Sequence, residues 1–230
     1  MKGAEIIVEH LIRERVPYVF GLCGHGILGL LDALCERRDR IKTISVHHES
    51  AAALMADAWF RVRQEPVATF TSCGPGSANL PVGVASAFMD SSAFLAITGD
   101  VPTSQWNRGP FQESGRHFQG DFVNVLRPYV KRSFQPTRAK MLPLALRQAF
   151  DLMRSGRPGP VHLDVPLNVF VEKAEVEEPP HHRSSASRPG GDPAAVQRAL
   201  DLLTSARRPC GDRRPRRGAK RRRGRSAPLR

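Results

Sequence analysis

Pro66-Val-Ala-Thr-Phe-Thr-Ser-Cys-Gly-Pro-Gly-Ser-Ala-Asn79 runs from an apolar β-rich stretch through a Gly-Pro-Gly turn into an apolar segment that continues to Met89. Its first part, Pro66 to Phe70, reads as a buried strand, and the segment after residues 74 to 76 reads as a helix. The same alternation extends in both directions. Ala4 to Arg13 has helical spacing and leads to Tyr18-Val-Phe-Gly21, a short strand ending in glycine. Leu28 to Glu36 reads as a helix, Ile41 to Val46 as a strand, and the Ala-rich stretch Glu49 to Arg63 as a helix. Downstream, Ala93 to Thr98 is a buried strand, followed by an irregular segment from Gly99 to Gly120 and a short helix. A strand near Tyr129 to Phe134, a helix from Lys140 to Arg154 and the strand Val161 to Val165 complete the series. This pattern predicts an α/β fold: a doubly wound, about six-stranded parallel sheet with helices on both faces.

Composition narrows the function classes. The chain has 230 residues, 40% of them hydrophobic, enough for one well-buried α/β domain. No apolar run reaches membrane-spanning length, and Glu5 and Glu9 interrupt the first apolar positions, so no membrane partner and no secretory signal are expected. Cys23, Cys35, Cys73 and Cys210 show no CxxC pairing or zinc spacing, which predicts reduced thiols, a cytoplasmic protein and no metal ligands in this chain. The net charge of +13 would suggest a polyanion partner, but it is uneven. Residues 207 to 230 hold twelve Lys or Arg against the single acid Asp212, leaving about +2 for the rest. Nucleic acid binding is therefore expected only through the tail.

In open sheets of this kind ligands bind beyond the carboxyl ends of the strands, which directs attention to the loops Gly21 to Gly29, Thr71 to Asn79 and Gly99 to Glu113. Each alone is weak, because Gly-Pro-Gly occurs in many tight turns. Together and in order they are specific. Val19-Phe-Gly-Leu-Cys-Gly-His-Gly26, His48-Glu-Ser-Ala-Ala-Ala53 with Met55-Ala-Asp57, and Thr71 to Asn79 resemble the N-terminal domain of thiamine-diphosphate enzymes. Met89-Asp-Ser91, Ile97-Thr-Gly-Asp-Val-Pro102, Phe111-Gln-Glu113, Ser155-Gly-Arg-Pro-Gly-Pro-Val161 and Asp164-Val-Pro166 follow in the order of acetolactate synthases. The resemblance covers about residues 1 to 172.

The resemblance implies thiamine diphosphate as cofactor and a 2-oxo acid such as pyruvate as substrate, decarboxylated and ligated as in branched-chain amino acid biosynthesis. Other family members, among them benzoylformate, indolepyruvate and oxalyl-CoA decarboxylases, remain alternatives. Glu49 matches the family glutamate whose carboxyl bonds N1′ of the aminopyrimidine, favouring the imino form that takes the thiazolium C2 proton. For that bond the carboxyl must donate a proton, which burial favours. Glu49 also reads as an acidic residue complementing the first turn of a helix. The glycines of the Gly74-Pro75-Gly76 turn would permit close approach of the pyrimidine, with Asn79 beside them; they would serve equally as a tight strand-to-helix turn. By resemblance Gly24, His25 and Gly26 line the substrate side, while Phe111 and Gln112 reach the partner subunit's active site, Gln112 being counted catalytic with Glu49. His25 stands where acetolactate synthases carry a small residue; it either alters substrate choice or is a surface histidine. Lys131 and Arg132 read as a solvated pair, and Trp59 and Trp106 as packing or loop anchors.

The family's diphosphate and Mg²⁺ sit on another domain carrying Gly-Asp-Gly, a motif this sequence does not contain. The expected arrangement is therefore a pyrimidine-binding domain at 1–172, a linker and start of a truncated middle domain at 173–206, and a basic tail at 207–230. A homodimer or a complementing chain would supply the diphosphate half, with the chain inactive alone; a non-catalytic partner domain is the other reading. FAD, which acetolactate synthases bind largely through the middle domain, is a weaker expectation. His181 and His182 fall in the linker and read as solvated. The Arg-Gly-Pro text after Arg208 is what GC-rich coding sequence yields out of frame, or else a polyanion-binding arm; resequencing of the locus decides between them.

Overall fold

The computed structural model describes residues 1–106, 108, 121–176 and 190–208. The chain divides into two compact units, Met1–Arg183 and Ser184–Arg230. The first holds helices α1 (Gly3–Arg13), α2 (Leu28–Glu36), α3 (Glu49–Arg63), α4 (Pro75–Ala78), α5 (Pro81–Met89), α6 (Phe122–Leu126), α7 (Leu142–Arg154) and α8 (Leu167–Val171). Its strands are β1 (Tyr18–Gly21), β2 (Lys42–Ser45), β3 (Ala68–Thr71), β4 (Leu95–Asp100), β5 (Ser133–Phe134) and β6 (Val161–Pro166). They form one six-stranded sheet in the order β2-β1-β3-β4-β6-β5, with every pairing parallel.

A parallel sheet covered on both faces needs strands that are apolar throughout, and β3, β4 and β6 are buried at every position. One face carries Ile7, Leu11, Leu30, Leu146, Phe150 and Phe170, drawn from α1, α2, α7 and α8. The other carries Ala52, Ala53, Ala56, Val84, Ala87 and Leu126, from α3, α5 and α6. Small residues let α3 and α5 approach closely: a Cβ on Gly83 would lie 2.5 Å from that of Ala53. Within α3 Asp57, 4% exposed, takes two hydrogen bonds from Arg61 at 2.9 and 2.6 Å, and across the contact it accepts from Ser86 of α5 at 3.4 Å. Burial acts to raise the Asp57 pKa, and the Arg61 guanidinium together with the Ser92 and Ser86 hydroxyls reverses that, so the net direction is downward.

The predicted fold class stands, and the differences are local. The apolar segment after Gly76 is two helices, because Pro81 lacks an N–H to continue α4 and instead occupies the first turn of α5. The strand expected from Tyr129 shrinks to Ser133–Phe134, since Arg127–Tyr129 turns as a 3-10 helix around Pro128. Helix α8 was not expected; Pro166 ends β6 and caps it. Lys131 is not solvated as predicted: its Nζ donates to the carbonyls of Leu152 and Ser155, the latter at 2.7 Å, so a cation sits at the carboxyl end of α7 where the helix dipole favours one. Arg132 lies over the Phe134 ring, 4.8 Å from its centroid. Trp59 packs edge-on against Tyr18 with centroids 4.9 Å apart, and Trp106 donates its indole N–H to Asp100 at 3.0 Å, so both act as the anchors expected.

A polar line crosses the sheet interior. Thr98 donates to Asp164, so its oxygen accepts from Nε2 of His162 at 2.7 Å, and Nδ1 of His162 lies 3.1 Å from Oγ of Ser133, whose hydroxyl also has the Val123 carbonyl as an acceptor at 3.5 Å. The Thr98 bond places a proton on Nε2, and burial favours the neutral imidazole. Burial pushes its pKa down to about 3 from the ordinary 6.5. The unfolded chain therefore binds this proton more readily, and the contribution to stability, complete above pH 6.5, is lost as pH falls toward 3. Within that window the wild type should lose about 1.4 kcal/mol per pH unit from this group. Urea melts of wild type and His162→Asn across the window check it; parallel pH profiles would mean that the imidazole is not held neutral.

In the second unit the described helix is α9 (Pro193–Ser205), opened by Asp192 accepting from Ala194 N at 3.0 Å. Val196, Leu200 and Leu203 recur at helical spacing and are exposed within it, which makes the helix amphipathic. His181, His182 and the basic residues from Arg213 onward lie outside the described residues. Among the described residues no helix is long and apolar enough to cross a membrane.

Candidate functional site

The chain leaves β1 toward the edge strand β2 and returns to β3 on the other side of β1. The loops after β1 and β3 therefore lead away in opposite directions at the carboxyl end of the sheet, the position where this architecture binds ligands. Gly24, His25 and Gly26 form one wall and Ser72 to Asn79 the other.

The walls touch at glycines. A Cβ on Gly24 would fall 2.4 Å from the Cβ of Ser72, and one on Gly26 would fall 2.9 Å from Sγ of Cys73. Gly26 N donates to Ser72 Oγ at 3.2 Å and fastens the walls together. His25 begins a 3-10 turn and is exposed at the rim. In the second wall Gly74 adopts φ 59° and ψ −115°, a conformation that a side chain would strain, and Pro75 then starts α4. Ser77 donates to Ser72 O at 2.8 Å and pins the turn.

Glu49 enters from the third element. It is the first residue of α3, which follows β2, and it is 8% exposed. Oε2 accepts from Nδ2 of Asn79 at 3.0 Å. Oε1 faces Gly76, where an added Cβ would lie 3.1 Å away. Ser50 Oγ donates to the Asn79 carbonyl at 2.5 Å. The helix start is completed by His48, whose Nδ1 accepts from Ser50 N at 3.3 Å. A buried carboxyl with one oxygen committed and the other beside a bare glycine can exchange a proton, through that second oxygen, with a flat ring laid over the turn.

The structure thus brings Glu49, Gly74, Pro75, Gly76 and Asn79 together, with Gly24, His25 and Gly26 on the facing wall. Phe111 and Gln112 lie outside the described residues. Two participants escaped the sequence reading. Ser72 lies within the quoted loop and Ser50 beside Glu49, but a serine carries no signal until the elements that it joins have met.

The chain matches a family described as "Thiamine pyrophosphate enzyme, N-terminal TPP binding domain" over residues 1–120. It is 35% identical to a probable acetolactate synthase large subunit of Methanocaldococcus jannaschii over 215 residues, 91% of this chain and 35% of that protein. It is likewise 35% identical to the acetolactate synthase isozyme 3 large subunit of Escherichia coli, covering 91% of this chain and 36% of the relative. An acetolactate synthase of Arthrospira platensis is 34% identical over 90% of the chain and 36% of its own length. The chain spans about a third of the length of these relatives.

Proposed function

This chain belongs to the thiamine pyrophosphate enzyme family, and from that premise we propose that residues 1–172 form the pyrimidine-binding half of a thiamine-diphosphate site in a 2-oxo acid decarboxylating and carboligating enzyme. The observation that carries the reading is Glu49, buried at the switch point with Oε1 facing the uncovered backbone of Gly76. When bound, the cofactor supplies a thiazolium carbon, C2, that becomes a nucleophile once its proton is removed.

Glu49 would hold a proton at Oε1 against N1′ of the pyrimidine and share it with that ring nitrogen. Gly74, Pro75 and Gly76 would carry the ring on backbone free of side chains, a fit that the 3.1 Å between Oε1 and a notional Gly76 Cβ supports. Gly24, His25 and Gly26 would line the substrate side, and Phe111 with Gln112 would extend toward a partner's site. Pyruvate is the proposed 2-oxo acid, in keeping with the printed names of the relatives. Mg²⁺ and the diphosphate would be held by a second copy or a complementing chain, and FAD is a lesser part of the proposal. Cys23, Cys35 and Cys73 are not joined by disulfides among the described residues, which supports a cytoplasmic setting.

The test is exchange of the C2 proton of saturating thiamine diphosphate with Mg²⁺ in deuterated buffer, followed by NMR. The chain should accelerate exchange over free cofactor; an unchanged rate would overturn the assignment of Glu49.

A further inference from the structure

A carboxylate has two equivalent oxygens, and rotation about its terminal torsion is broad and nearly twofold, so a glutamate used for proton exchange presents either oxygen unless something distinguishes them. Glu49 is distinguished. Asn79 Nδ2 donates to Oε2, Gly76 leaves Oε1 uncovered, and Ser50, the next residue of α3, bonds the backbone carbonyl of Asn79 at 2.5 Å. The circuit closes on itself: Glu49 side chain, Asn79 amide, Asn79 carbonyl, Ser50 hydroxyl, and the peptide joining Ser50 to Glu49.

We infer that Asn79 and Ser50 are positioning residues that decide which oxygen of Glu49 meets the ligand, fixing Oε2 inward and reserving Oε1 for the ring nitrogen. The inference deepens the proposed function and rests on it. A protonated carboxyl oxygen accepts an N–H more weakly than the bare one, so the Asn79 donor on Oε2 biases a proton carried by this carboxyl toward Oε1, the side from which it can be given. The Asn79 amide performs this only while its own backbone is fixed, and Ser50 fixes it. Asn79 therefore acts on Glu49 rather than as a direct ligand of the cofactor. The half-buried hydroxyl and amide, unremarkable in the sequence, take their meaning from the meeting of α3 with the turn that ends α4.

Two measurements on the full chain test it. Without ligand, the ¹⁵N–¹H₂ resonances of the Asn79 side chain should be displaced from their wild-type positions in Glu49→Gln, and less so in Ser50→Ala. With saturating thiamine diphosphate and Mg²⁺, Asn79→Ala should slow C2-proton exchange about tenfold and Ser50→Ala about threefold, the loss of one hydrogen bond each. The double variant should be no slower than Asn79→Ala, because the two act in series, and cofactor affinity should change less than about threefold. An Asn79 amide indifferent to Glu49 would overturn the inference. So would additive losses, or an Asn79→Ala effect confined to affinity. Amide coupling without exchange in the wild-type chain would instead sink the proposed function and leave the clamp standing.

Discussion

Glu49→Gln should reduce the chain's acceleration of thiazolium C2-proton exchange by about 10²- to 10⁴-fold, the range over which a positioned acid–base group contributes. The substitution changes the proton and little else. Asn79 Nδ2 lies 3.0 Å from Oε2, and a donor at that point selects the oxygen of the new amide and turns its NH₂ toward Gly76. The amide still reaches the ring nitrogen, but its N–H is not acidic enough to be passed across. Because the shape and the Asn79 bond persist, folding stability should stay within about 1 kcal/mol of wild type. Exchange kinetics measured beside a thermal melt separate the two effects. Wild-type exchange in the variant would show that Glu49 is only the acidic opening residue of α3.

The second large effect lies in the sheet. Gly21→Ala should cost about 3 kcal/mol or more of stability, at the upper end for overpacking a core. Gly21 is the last residue of β1 and is paired with Phe70 of β3. A Cβ there would fall 2.4 Å from the Phe70 carbonyl oxygen and 2.4 to 2.5 Å from its ring. A ring can turn aside, but a carbonyl in a strand paired on both sides cannot. Phe70→Leu should therefore rescue only part of the loss. Denaturant melts of the single and double variants measure it, and a Gly21→Ala protein as stable as wild type would mean that β1 and β3 part readily at this end.

Much of the arrangement was legible because it follows from local chemistry. The strand Tyr18–Gly21 and the helices Leu28–Glu36 and Glu49–Arg63 have the predicted bounds, since each is framed by its own signals: a terminal glycine, a polar break, an acidic opening turn. The glycines of the loops after β1 and β3 were picked out by the resemblance of their motifs, and the structure supplies the reason for them, as close backbone approach excludes other residues. What escaped depends on partners distant in sequence. Lys131 is a charged residue by type, and only the end of α7, 21 positions away, makes it a helix cap. The short β5 and the helix after Pro166 are too brief for a periodic pattern. Ser50 and Ser72 acquire their roles from contacts 29 and 46 residues away. Glu49 itself was picked out by the motifs around it, since an acid at a helix start is otherwise unexceptional.

The line of bonds beneath α6 has a direction. His162 gives to Thr98 and Thr98 to Asp164, while Nδ1 of His162 faces Ser133 Oγ; a carboxylate can only accept, and that sets the direction of the bonds leading to it. The members therefore behave as an orientational unit rather than as separate contacts. A two-residue strand at the margin of the sheet and an aspartate at its interior consequently share one proton arrangement. The margin of this domain, usually the part freest to vary, is thereby tied to the polarity of its centre.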